Sequence, residues 1–127
     1  MVRLSYAARV RLCHLALLVR DLRAARRFYE KYFAFGDADW INSNTLFLTN
    51  QDDFQLALMR GEHPPNPGAF HHFGFRLDSA HEVRQLRSRL AADGVPIIED
   101  VQERDLVSFK CTDPDGYTVE VYTELTN

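Results

Sequence analysis

One pattern occurs twice in this chain, and that repetition constrains the fold more than any other feature. His14-Leu15-Ala16-Leu17-Leu18-Val19-Arg20-Asp21 leads straight into an amphipathic segment, and His72-Phe73-Gly74-Phe75-Arg76-Leu77-Asp78 does the same 58 positions later. Asp52-Asp53-Phe54-Gln55-Leu56-Ala57-Leu58-Met59 is echoed by Asp115-Gly116-Tyr117-Thr118-Val119-Glu120-Val121-Tyr122, displaced by 63. A repeat of about 60 residues implies two equivalent supersecondary units that share a core. Between the copies, Gly61-Glu62-His63-Pro64-Pro65-Asn66-Pro67-Gly68 has the proline and glycine content of a connector. The chain, 1–127, is therefore read as a single domain: module one at about 11–60, linker 61–69, module two at about 70–124.

Each module reads as strand, helix, then three strands. Asp21 is a good N-cap for a helix to about Phe33, with Leu22, Ala25, Phe28, Tyr29, Tyr32 and Phe33 at helical spacing. Ser79-Ala80-His81-Glu82 is a capping box opening a second helix, whose stripe is Val83, Leu86 and Leu90 and which Gly94 stops. Strands are expected at about 38–42, 45–49 and 54–59, and again at about 96–101, 105–111 and 117–123. Cys13 and Cys111 each fall inside a predicted strand, in no metal-binding or redox spacing, and are read as reduced, buried apolar residues. A reduced state implies a cytoplasmic location.

The net charge of −3 gives no bulk attraction to nucleic acid or to an anionic membrane surface. No apolar run approaches the roughly 20 residues needed to span a bilayer. The segment at 1–13 is read as a leader arm into the first strand, since no small-residue cleavage site follows it.

Strand alternation sorts the side chains by face. Leu15, Leu17 and Val19 suit packing on a helix, leaving His14, Ala16 and Leu18 on the other side. Phe73, Phe75 and Leu77 oppose His72, Gly74 and Arg76, while Tyr117, Val119 and Val121 oppose Thr118, Glu120 and Tyr122. His14, His72 and Glu120 thus all lie away from the helices. Alternation puts His71 on the opposite face, although a slip of one residue would exchange it with His72. His63 in the linker and His81 in a first helical turn are read as solvent-facing.

The run H-L-A-L-L-V-R-D-L-R-A-A-R-R-F-Y-E-K-Y-F-A-F-G resembles the opening of vicinal-oxygen-chelate proteins, the group of glyoxalase, bleomycin-resistance and extradiol-dioxygenase domains. H-H-F-G-F-R-L-D in the middle and D-P-D-G-Y-T-V-E-V-Y near the end are similar to that family's later motifs, so the resemblance spans roughly residues 12 to 123. It implies an α+β fold in which two βαβββ modules curl into a cup-shaped mixed sheet with the helices outside. It also implies one divalent metal ion held by His14, His72 and Glu120, and a homodimer acting on a small-molecule substrate, with modules exchanged between chains in some members. Two imidazoles and one carboxylate leave coordination positions open for substrate, water or dioxygen. Fe(II) is the first expectation, with Mn(II), Ni(II) or Zn(II) as alternatives.

Departures from the family pattern narrow the chemistry. Ala57 stands where lactoylglutathione lyases place a fourth, acidic ligand, which argues against that activity. The acidic run Ile98-Glu99-Asp100-Val101-Gln102-Glu103-Arg104-Asp105 weakens a fosfomycin-resistance-like thiol transferase, which needs cationic groups around a phosphonate. Extradiol dioxygenases share the two-His, one-Glu set, yet Lys110 occupies their tyrosine position and no His lies at 101–103. Lys110 and Tyr122 are the candidate catalytic groups: a lysine in a partly desolvated pocket can pair with an anionic oxygen or act as a base. The leading expectation is a metal-dependent, dioxygenase-like oxidoreductase acting on an oxygen-chelating substrate. The alternative is a metal-independent drug-binding protein with an aromatic groove built from Trp40, Phe47, Phe70 and Tyr122.

Overall fold

The computed structural model describes residues 8–62 and 70–125; the linker positions 63–69, with His63, and the first seven residues of the leader arm lie outside them. The elements are β1 (His14–Val19), α1 (Leu22–Phe33), β2 (Gly36–Asn42), β3 (Thr45–Thr49) and β4 (Gln55–Arg60), then β5 (His72–Arg76), α2 (Ala80–Ala92), β6 (Ile97–Gln102), β7 (Leu106–Thr112) and β8 (Thr118–Glu124). Strand, helix and three strands therefore occur twice. The sheets are ordered β1-β4-β3-β2 and β5-β8-β7-β6, and neither closes on itself. In each, the parallel pair (β1 with β4, β5 with β8) lies at one edge and the remaining pairs are antiparallel. This is the expected α+β architecture of two βαβββ units.

Local chemistry accounts for the helix ends. Asp21, with extended backbone, accepts from the amides of Arg23 and Ala24 at 2.9 and 3.2 Å, satisfying two donors that the first turn leaves free. In α2 the Ser79 hydroxyl accepts from the Glu82 amide at 3.2 Å. The reciprocal half of the expected capping box differs: the Glu82 carboxylate takes the Ser79 hydroxyl, not a backbone amide. Gly94 stands at φ +83 just past the helix, where a side chain would be strained.

Both helices turn their apolar stripes inward. Leu22, Ala25, Phe28, Tyr29 and Phe33 of α1 and Val83, Leu86 and Leu90 of α2 join one core with Leu46, Leu48, Leu56 and Leu58 of the first sheet and Val107, Phe109, Val119 and Val121 of the second. Each fully buried aliphatic side chain contributes about 1.5–3 kcal/mol. Specific contacts lock the halves together. Phe33 stacks on Phe75 with centroids 4.4 Å apart, and Tyr117 donates its hydroxyl to the Leu18 carbonyl at 2.9 Å. The Arg20 amide donates to Asp115 Oδ1 at 2.9 Å.

Cys111 is buried, and loss of hydration together with nearby Asp113 pushes its thiol up to about 12. Cys13 departs from expectation. It is exposed, because β1 begins one residue later at His14, and its carbonyl receives the Gln55 amide at 2.9 Å. No helix among the described residues is long and apolar enough to cross a membrane.

Candidate metal centre

The faces turned away from the helices carry the polar side chains selected by alternation. On the second sheet, in-register pairing lines up Gly74, Glu120, Lys110 and Glu99 across four neighbouring strands. The adjoining row is Arg76, Tyr122, Ser108 and Val101. The matching row of the first sheet runs Ala16, Ala57, Phe47 and Asp39, with no carboxylate at the Glu120 position.

His72 and Glu120 meet. His72 Nε2 lies 3.3 Å from Glu120 Oε1, with both side chains about a quarter exposed (29% and 23%). The other ring nitrogen, Nδ1, is 2.8 Å from the Phe70 carbonyl oxygen. A carbonyl only accepts, so Nδ1 carries a proton and Nε2 is the ring nitrogen turned toward Glu120. Histidine ligands are commonly oriented by such a partner on the second nitrogen. Gly74 matters because a Cβ there would stand 3.6 Å from Glu120 Oε1, so any longer side chain would project over the carboxylate.

His14 lies at the equivalent edge of the first sheet, opposite Gln55. It shares with His72 and Arg76 the lining of a cavity of about 620 Å³, whose apolar wall includes Phe35, Phe54, Phe73 and Phe75. Among the described residues, however, no three His, Cys, Asp or Glu side chains converge closely enough to hold a metal ion. Within one chain, of the three expected ligands, His72 and Glu120 thus come together, and His14 lies apart from that pair.

Lys110 is on the Glu120 face, as alternation predicts, but its ammonium is occupied: Nζ lies 2.9 Å from Glu99 Oε2. A register shift in the β6–β7 pair causes this. Ile97 stands opposite Cys111 on the apolar face, and the irregularity that follows puts Glu99, not Ile98, opposite Lys110. The four aromatic residues expected to form a groove do not share one surface. Trp40 pairs in register with buried Leu46, whereas Phe47 points to the other side, and Phe70 is 89% exposed beyond both sheets.

Sequence reading missed three features. Asp113 is buried and accepts from the Tyr29 hydroxyl at 2.7 Å and from the amides of Asp115 and Tyr117 at 2.9 Å each. The D-x-D-G spacing that closes such a turn was visible as a signal. Burial holds the Asp113 carboxyl above its ordinary range, against the pull of the Tyr29 hydrogen bond. Ser108 is 2% exposed and its hydroxyl has no partner among the described residues. The Phe70 carbonyl that orients His72 had no sequence signal at all.

The model of the Glyoxalase/Bleomycin resistance protein/Dioxygenase superfamily matches residues 11–121. The chain belongs to this superfamily. A possible glyoxalase from Bacillus cereus is 30% identical in structural alignment, covering 89% of this chain and 98% of that one, with a TM-score of 0.77. FosX from Listeria monocytogenes, a fosfomycin resistance protein solved with Mn(II) and a sulfate ion, aligns at 20% identity and TM-score 0.79 over 92% of each chain, a likeness of fold. In sequence, 3-methylcatechol 2,3-dioxygenase of Pseudomonas putida is 28% identical over 117 residues, 88% of this chain. The match spans only 39% of that dioxygenase, so this superfamily member corresponds to about two fifths of it.

Proposed function

We propose that this protein is a divalent-metal-dependent enzyme whose His72 and Glu120 act together with His14 of a second copy of the chain. The observation that carries the reading is the pairing of His72 Nε2 with Glu120 Oε1 at 3.3 Å, with Nδ1 already committed to the Phe70 carbonyl. Neutral imidazole and carboxylate donors fit a divalent ion of the Fe(II), Mn(II), Ni(II) or Zn(II) group. Two His and one carboxylate with open positions favour Fe(II) first, in keeping with the dioxygenase among the relatives. Bound there, the ion supplies Lewis acidity to substrate oxygens. His14 is assigned to a second copy because, although it lines one cavity with His72, it joins no ligand cluster among the described residues of its own chain.

The chain's own groups then have separable tasks. The Phe70 carbonyl fixes the His72 tautomer. Gly74 keeps space open over Glu120. Lys110, held by Glu99, sets a fixed positive charge beside the centre instead of serving as a free base. The absence of the family's tyrosine from that position argues for dioxygenase-like chemistry on a substrate other than a simple catechol.

Metal content after anaerobic purification, followed by titration of stripped protein with Fe(II), Mn(II), Ni(II) and Zn(II), tests the reading. One equivalent per site, lost in His72→Ala, is the expected result. No binding at micromolar concentration of any of these ions would overturn it.

A second reading, a drug-binding protein without catalysis, draws on the large aromatic-walled cavity between β1 and β5. His14→Ala separates the two: activity and metal disappear under the first reading, whereas ligand binding survives under the second.

A further inference from the structure

We infer that the cavity between β1 and β5 takes an amphipathic organic anion, an aromatic carboxylic acid with its ring inward and its carboxylate on the side of Arg76. The inference goes beyond the proposed function: it needs no metal, and it gives the cavity's occupant a chemical class. Each of the two strands is the edge of its sheet, and side chains from both faces of those edges line the space. From β5, Phe73 and Phe75 enter on the core side, whereas His72, Gly74 and Arg76 belong to the outer face. Phe35, Phe54 and Leu56 extend the apolar wall. At about 620 Å³ the space falls within the usual range of ligand pockets, about 300–1,000 Å³. Two guanidinium groups, of Arg11 and Arg76, stand against one carboxylate, Asp52, and none of the three forms an ion pair among the described residues. A guanidinium group holds a carboxylate by two parallel hydrogen bonds, which makes an acid the matching guest.

A second observation comes from the repeat. Asn50 Oδ1 accepts from the amides of Asp52 and Phe54 at 2.9 and 3.0 Å, and Asp113 Oδ1 accepts from those of Asp115 and Tyr117 at 2.9 Å each, so both halves build the same turn. In the second half this turn is bonded to the first at three points. Tyr117 donates to the Leu18 carbonyl, Asp115 accepts from the Arg20 amide, and Asp113 accepts from the Tyr29 hydroxyl. In the first half the equivalent Asn50, Asp52 and Phe54 line the cavity instead. Phe54 has no hydroxyl to donate, and no side chain of this turn bonds to β5 or α2 among the described residues. His14–Leu18 corresponds to His72–Arg76, so the cavity occupies the place that is bridged in the other copy. Protein interiors pack closely, and the same architecture is shut at one copy here. The open, aromatic-walled copy is therefore space kept for a guest.

Titration calorimetry of the full chain with 3-phenylpropionate, 3-phenylpropanol and phenethylamine, which share a ring and differ in charge, tests this. Samples as purified and after metal stripping are titrated in parallel, which separates binding in the cavity from coordination of the acid by a metal. The acid is expected to bind at least about tenfold more tightly than the amine in both samples, and more weakly as salt rises. Arg76→Gln, at an exposed position of β5, should lose about tenfold of the acid's affinity and leave that of the alcohol unchanged. Phe54→Tyr, which supplies the hydroxyl that Tyr117 uses in the other half, should weaken acid and alcohol alike by about threefold with no drop in melting temperature. Acid bound no better than amine, acid bound only before stripping, or full acid affinity in either variant overturns the inference. So does a dimer, seen by mass, that binds none of the three probes, the second copy then taking the space. Metal uptake in the same samples reports on the centre separately: uptake without acid preference sinks only the anion cavity, and the converse sinks only the centre.

Discussion

The Tyr29 hydroxyl donates a 2.7 Å hydrogen bond to Asp113 Oδ2 across 84 residues of sequence, with both groups buried, so that α1 of the first half is fastened to the turn before β8 of the second. Burial and the adjacent Asp113 hold the Tyr29 phenol far above its ordinary range, so it stays a donor at every working pH. Tyr29→Phe is expected to cost about 1–3 kcal/mol in urea unfolding, because the carboxylate loses its donor while remaining buried. A loss of less than half of that would show the contact to be incidental.

Asp113 also has a pH signature. Its folded carboxyl lies above the usual 3.8, chiefly through burial. The unfolded chain therefore releases this proton first as pH rises, and the stability that Asp113 contributes is complete below 3.8 and lost as pH climbs through the higher folded value. The gap in unfolding free energy between wild type and Asp113→Asn should accordingly narrow as pH is raised from 3 to 7. A gap that widens would contradict the direction of the shift.

Subunit mixing tests a shared centre. His14→Ala and His72→Ala proteins should each bind no metal. Mixed one to one through unfolding and refolding, half of the dimers become hybrids with one intact site of two, restoring about a quarter of the wild-type metal per chain. No restoration on mixing means that each chain builds its centre alone.

Gly74→Ala should fold and keep its metal, since its Cβ makes only ordinary contacts. Gly74→Leu should keep a near-native melting temperature on this open face yet lose metal affinity by tenfold or more, about 1.4 kcal/mol. Dichroism and metal titration on the same samples distinguish blockage from misfolding.

Phe75 links the halves through its stack on Phe33. Phe75→Ala should cost about 2–4 kcal/mol, and Phe75→Leu less than about 1.5 kcal/mol, measured by chemical denaturation.

Much of this was legible in the sequence because strands and helices impose different periods. Alternation placed His72, Glu120, Lys110 and Tyr122 on one face, and the pairs His72↔Thr118 and Lys110↔Glu120 follow that register. Asp21 and Ser79 marked the helix starts through the hydrogen bonds their side chains make. What remained hidden depends on neighbours distant in sequence. The exposure of Cys13 turns on where β1 begins, a matter of one residue that pattern reading does not resolve. The contact from Tyr29 to Asp113 needed the packing of one half on the other, and Tyr29 by itself reads only as part of an apolar stripe. Glu99 became the partner of Lys110 through a break in strand register, which no propensity encodes.

That break lies on an edge strand, so the extra residue disturbs no pairing beyond β7. The cation beside Glu120 is therefore tethered by a carboxylate that belongs to the rim and not to the strand carrying Glu120. Exchange of the exposed Glu99 alone would turn a bound charge into a free one next to Glu120, while every candidate ligand residue stayed as it is.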